Sequence, residues 1–161
     1  MLFCGINPGR WSGAVGHHFA HPGNRFWKAL HLSGFTDRQL EPRDERLLLD
    51  VGVGITNLVD RTTAAAADLD PAELRAGLVA LDRKVARLRP RCVAFLGMGA
   101  YRVAFGRPRA PGGRQAEPLG HAVVWVFPNP SGLQAAYGLD VVVGQLRELR
   151  SFVRGGADGR A

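Results

Sequence analysis

The sequence predicts an α/β domain of three layers, with a central four-stranded parallel twisted sheet between helices. Three observations carry this. Four apolar runs, at 2–4, 51–59, 92–96 and 122–127, read as strands buried on both faces, since they do not alternate with polar residues. Helix-forming stretches separate them, which is the arrangement of strand–helix–strand units on a parallel sheet. The length, 161 residues, suits one domain with a real core, without an internal repeat or a linker long enough for a second. That domain is expected over 1–153, with a frayed tail at 154–161.

The first strand ends abruptly in Gly5, Ile6, Asn7, Pro8 and Gly9. Pro8 fixes its own φ and keeps Asn7 out of the helical region, so the turn displays one amide side chain. The glycines permit left-handed or crowded backbone. Residues 10–18 read as a loop carrying Trp11, His17 and His18. Asn24 can cap a helix running to Gly34, with Phe26, Trp27, Leu30 and His31 on one face. A second helical region, 36–50, is interrupted by Pro42 and ends in three leucines before the second strand. Asp60 and Arg61 follow that strand, and an ion pair between them or a turn contact is the simple expectation. Residues 64–67 suggest a loop or a helical turn.

Asp70, Pro71 and Glu73 form a strong helix start, with Asp as N-cap, Pro at the first position and Glu at the third. Leu74, Leu78, Leu81, Val85 and Leu88 then recur at helical spacing as far as Pro90. After the third strand a short helix is expected over 100–105. Residues 106–120, rich in glycine, proline and arginine, read as a mobile basic loop. The fourth strand breaks into Pro128, Asn129, Pro130, Ser131, Gly132 and Leu133. The last helix, 139–153, turns Leu139, Val142, Leu146, Leu149 and Val153 inward.

Two strands thus end in Asn-Pro turns more than a hundred residues apart. Ligands of open α/β sheets bind at such strand ends, so the two turns would face each other across a cleft.

Composition narrows the partners. Apolar residues make up 46% and charged residues 22%, which is globular. The net charge is +7, mostly arginine, and favours an anionic partner. No apolar stretch reaches membrane-spanning length and no signal-peptide pattern is present, so a soluble, cytoplasmic, monomeric protein is expected. Cys4 and Cys92 fall in strand-like runs and read as buried free thiols. His17, His18 and His21 invite a metal reading, but no carboxylate or cysteine accompanies them in sequence and nothing fixes them on one helix face. No metal or other cofactor is expected. Neither a Walker lysine motif nor a dinucleotide-binding glycine fingerprint occurs.

Four motifs in order, Gly5–Gly9, Phe19–Trp27, Gly54–Arg61 and Asn129–Leu133, resemble the mismatch-specific uracil-DNA glycosylase family, which includes the thymine-DNA glycosylases. The likeness spans almost the whole chain. It implies a uracil-DNA glycosylase-like fold and a repair enzyme acting on double-stranded DNA that contains uracil, especially opposite guanine. Such an enzyme flips the base out of the duplex and hydrolyses its N-glycosidic bond with water. The two cysteines exclude the iron–sulfur uracil glycosylases, which need four thiolates.

The resemblance also implies roles. Asn7 is the catalytic amide; an amide orients a water but cannot take its proton near neutral pH. Phe19 stacks on the flipped uracil, backbone groups around Ile6 and Phe19 read its edge, and Asn129 stands beside the pocket. Gly132 and Leu133 enter the duplex, Leu133 as the wedge. Arginines at 102–114 are candidates for phosphate contacts. Two departures remove positive charge: Asn57 and Ala135 stand where bacterial relatives carry lysine and arginine. From its own position, near a helix end and a glycine-bearing turn, Asp50 is a candidate second catalytic group, with Asp60 as its competitor. The rival to an enzyme is a non-catalytic DNA-binding α/β domain.

Overall fold

The computed structural model describes residues 1–131 and 137–155. Gly132, Leu133 and Ala135 therefore lie outside the described residues, as does the expected tail from 156 onward. Arg154 and Gly155 close the last helix instead of fraying from it.

The sheet has five strands, not four: β1 (Leu2–Gly5), β2 (Gly54–Asn57), β3 (Cys92–Leu96), β4 (Gly113–Arg114) and β5 (Val123–Phe127), in the order β2-β1-β3-β5-β4. The four expected strands are parallel to one another. The fifth, β4, runs antiparallel at the edge, with Gly113 opposite Val126 and Arg114 opposite Trp125. It lies in the stretch expected to be a mobile loop. Two residues carry no periodicity, and only the unpaired edge of β5 makes them a strand.

The helices are α1 (Arg10–Val15), α2 (Phe26–Leu32), α3 (Pro71–Leu88), α4 (Met98–Ala104) and α5 (Leu139–Gly155). The interrupted region before β2 is a 3-10 helix, Pro42–Val51, so Pro42 starts it rather than breaking it. Residues 10–18 hold a one-and-a-half-turn helix where a loop is expected. That helix buries none of its residues, so it leaves no apolar stripe to read in the sequence. Asn24 Oδ1 accepts from the Phe26 N–H at 2.9 Å, but Asn24 stands one residue ahead of the N-cap of α2, Arg25, whose side chain makes no cap hydrogen bond. The capping box of α3 is also present, with Asp70 Oδ1 accepting from Ala72 and Glu73 from the Asp70 N–H.

Alternate residues of each strand feed two cores, one on each face. Phe3, Ala94, Trp125 and Phe127 pack with Phe26, Leu30, Val142 and Leu146 of α2 and α5. Cys4, Val93, Phe95 and Val124 pack with Leu74, Leu81, Val85 and Tyr101 of α3 and α4. Both thiols are buried, and burial pushes each up to about 12, so they are inert core groups.

The strand order locates the site. From β1 the chain steps outward to β2, then crosses back over β1 to β3 on its other side. The strand order reverses there, and at such a point the loops leaving neighbouring strands diverge and open a crevice at their carboxyl ends.

Candidate active site

A cavity of about 490 Å³ occupies this crevice, within the usual ~300–1,000 Å³ of small-ligand sites. Its walls come from the carboxyl ends of four strands: Asn7 after β1, Asn57 closing β2, Leu96 closing β3 and Asn129 after β5. Two Asn-Pro turns distant in sequence meet across one cleft, as expected.

Asn7 is held in one orientation. Its Nδ2 donates to the Arg61 carbonyl at 2.8 Å and to Thr63 Oγ1 at 2.7 Å. A carbonyl can only accept, so the amide cannot be turned over without setting two acceptors against each other. Thr63 is 6% exposed and spends its own hydroxyl proton on the Ala65 carbonyl, at 2.7 Å. Both amide protons are therefore occupied. Oδ1, with no partner among the described residues, is left to accept a hydrogen bond.

The clamp under Asn7 is anchored from α3. Arg61 makes a two-pronged ion pair with Glu73, at 2.7 and 2.8 Å, and its Nη2 also reaches the Asp68 carbonyl. The pair expected between Asp60 and Arg61 is absent; Arg61 turns to Glu73, which already caps α3. The Arg61 guanidinium, and after it the Asp70 N–H, hold the Glu73 carboxyl down at about 2.

Phe19 lines the same cavity with a left-handed backbone, φ 53°. For a bulky residue this is strained and persists only where neighbours enforce it. They do so on every side. The His18 N–H donates to Glu45 Oε2 at 2.9 Å, Trp27 Nε1 donates to the His18 carbonyl at 3.2 Å, and the Ala20 N–H donates to Ser12 Oγ at 3.0 Å. The ring lies 4.3 Å from that of Phe26. A β-carbon on Gly5 would stand 2.6 Å from Asn57 Oδ1 and 3.2 Å from the Phe19 ring, so a side chain here would push on both pocket residues. Its φ is not positive, and the left-handed option considered from sequence does not apply.

Asn129 Oδ1 accepts from the Ser131 N–H at 3.0 Å and shapes the second turn. Arg25 ties both sides of that turn, donating to the carbonyls of Ser131 and Tyr137, while its own N–H donates to the Pro130 carbonyl.

Several expected roles fall elsewhere. Asp50 is exposed and lies before β2, at the edge of the sheet opposite the cavity; it is not brought into the site. Asp60 is exposed and does not line the cavity either. No carboxylate does so among the described residues. Asn57 lines the cavity itself. Of the arginines at 102–114, Arg102 donates twice to the Ala110 carbonyl, Arg107 pairs with Glu117, and Arg114 lies 4.9 Å over the Phe152 ring. The histidines do have a carboxylate neighbour: Glu45 contacts His17 Nδ1 at 3.2 Å, although among the described residues no group of three potential ligands could hold a metal ion.

Sequence reasoning missed Thr63, His18 and Trp11 as cavity residues. Thr63 follows the third motif by two positions, and that proximity was the available signal. Burial lowers His18 below its usual range and keeps the imidazole neutral near pH 7, a ring with one donor and one acceptor facing the cavity.

Fold and site together define an α/β protein with an aromatic-walled, amide-lined pocket at the switch point of its sheet. The uracil DNA glycosylase superfamily, whose members are generally DNA N-glycosylases, matches residues 1–150. The chain belongs to that superfamily. Among the described residues no helix is long and apolar enough to cross a membrane.

Proposed function

We propose that this chain is a monofunctional, monomeric glycosylase of the mismatch-specific type, removing uracil from double-stranded DNA with a preference for uracil opposite guanine. The observation that carries the reading is the locked amide of Asn7 beside Phe19. An oriented Oδ1 accepts from one hydrogen of a water and points its oxygen at C1′ of a base stacked on Phe19. The C1′–N bond breaks with its electron pair going to the base, water oxygen bonds to C1′, and the departing uracil anion or solvent takes the proton. With no carboxylate on the described walls, rate comes from positioning and from dipoles aimed at the leaving base, not from a strong general base.

Ile6 and Asn129 flank the base, and Asn57 and His18 add polar groups that read its edge. Gly132 and Leu133 follow the second turn; Leu133 is the wedge filling the gap left by the extruded base. In that role Leu133→Ala slows excision from duplexes more than from single strands.

The absence of a carboxylate on the walls formed by the described residues also favours a second reading, a domain that binds DNA without cutting it. Incubation with a uracil-containing duplex followed by alkali decides. Strand cleavage at the uracil supports the glycosylase, and binding without cleavage supports the rival. A panel pairing uracil, thymine and ethenocytosine with guanine, and uracil with adenine, tests the stated preference.

A further inference from the structure

The chain has three tryptophans, and two are core: Trp27 is 5% exposed and Trp125 is 7%. Trp11 is 52% exposed. It projects from α1, a helix that contributes no buried residue, so its exposure is not a by-product of packing another face. The helix is nevertheless firmly seated. Gly13 sits so close to Thr62 that a β-carbon would stand 2.6 Å from its Oγ1, and Ser12 Oγ accepts from the Ala20 N–H. This seated helix therefore presents a large apolar ring to solvent at the wall of the cavity that also holds Asn7 and Phe19. The one ring contact of Trp11 among the described residues is with His21, at 6.1 Å. Its neighbour Arg10 is exposed, lines the same wall and has no acidic partner among the described residues. An exposed aromatic ring beside an unpaired cation is the chemistry that holds single-stranded nucleic acid: the ring stacks on a base and the cation meets the backbone.

We propose that Trp11 and Arg10 form a second subsite for an unpaired nucleotide next to the extruded one in the same strand. This deepens the glycosylase reading and rests on it for the identity of the neighbouring base. Trp11 stacks on the flanking base and Arg10 neutralises its phosphate, so single-stranded DNA containing uracil is a substrate class of this chain as well as the duplex. Stacking tolerates any base, so the subsite adds affinity without sequence preference.

The test uses the full chain and a single-stranded oligothymidylate without uracil, followed by tryptophan emission, alongside single-strand and duplex excision of uracil. The parent changes emission on binding. Trp11→Phe keeps a stacking ring and binds within about threefold of the parent, but shows no emission change, because Trp27 and Trp125 are shielded. Trp11→Ala binds about tenfold more weakly, as loss of one base–aromatic stack implies. It loses single-strand excision at subsaturating enzyme by a similar factor. An emission change that survives in Trp11→Phe, or parental affinity in Trp11→Ala, overturns the subsite. If the parent excises uracil from no DNA at all, the glycosylase reading falls while the emission titration still decides the subsite.

Discussion

Replacing Asn7 by aspartate tests the locked amide most sharply. In the same rotamer one carboxylate oxygen takes the place of Nδ2. It then faces the Arg61 carbonyl at 2.8 Å, acceptor against acceptor, and only Thr63 can turn its hydroxyl to donate. The protonated acid can donate to that carbonyl and the ionised one cannot, so the folded state raises the pKa of the new side chain. The sign follows. Below the ordinary carboxyl range of about 4 both folded and unfolded chains carry the proton, and no penalty appears. As pH rises the unfolded chain ionises first, and the variant loses stability relative to the parent until the folded-state pKa is passed. One solvent-exposed hydrogen bond exchanged for an opposed pair costs roughly 0.5–1.5 kcal/mol. For a domain of this size that is a Tm difference of about 1–6 °C at neutral pH. The same ionisation creates a general base, so single-turnover uracil excision by the variant rises with pH over the same window. Thermal unfolding and excision, each measured from pH 4.5 to 8.5, supply both curves. A Tm difference that is flat in pH, or an excision rate that does not track it, refutes the claim that Arg61 and Thr63 dictate the amide's orientation.

Gly5→Ala drives a methyl group into Asn57 Oδ1 and the Phe19 ring; excision should fall at least about tenfold, as misplacement of a bound group by an ångström implies, with the fold retained by circular dichroism. Glu73→Gln loosens the Arg61 anchor and should lower Tm near pH 7. Because Glu73 sits at about 2 when folded against 4.5 ordinarily, its contribution is present above 4.5 and fades as pH falls toward 2, so parent and variant should converge there. His18 is depressed below 6.5, so the unfolded chain takes up its proton first; parent stability should decline as pH falls through 6.5, and His18→Gln should flatten that part of the Tm profile. Affinity for duplex DNA should fall steeply with added salt, since each neutralised phosphate releases counterions; a flat dependence would reduce the +7 charge to a solubility feature.

Much of this molecule was legible in its residues. The four parallel strands followed from unbroken apolar runs, and α3 from Asp70, Pro71 and Glu73, because capping and burial act within a few residues of chain. Asn7 and Asn129 were legible for a similar reason, since each stands in a turn that Pro and neighbouring polar groups shape locally. What escaped depends on partners brought from afar. The strand at Gly113 and Arg114 exists only because β5 offers an unpaired edge, and α1 buries nothing that would write a pattern. Asp50 read as a plausible second acid until the strand direction put it at the wrong end of the sheet. Arg61 had an acid beside it in sequence and chose one twelve residues on, because Glu73 was already fixed at the start of α3. The residues alone thus determined the four parallel strands, the start of α3 and the two amide turns. Only the tertiary structure decided which atom of Asn7 is free, since that choice lies with a carbonyl and a hydroxyl more than fifty residues away.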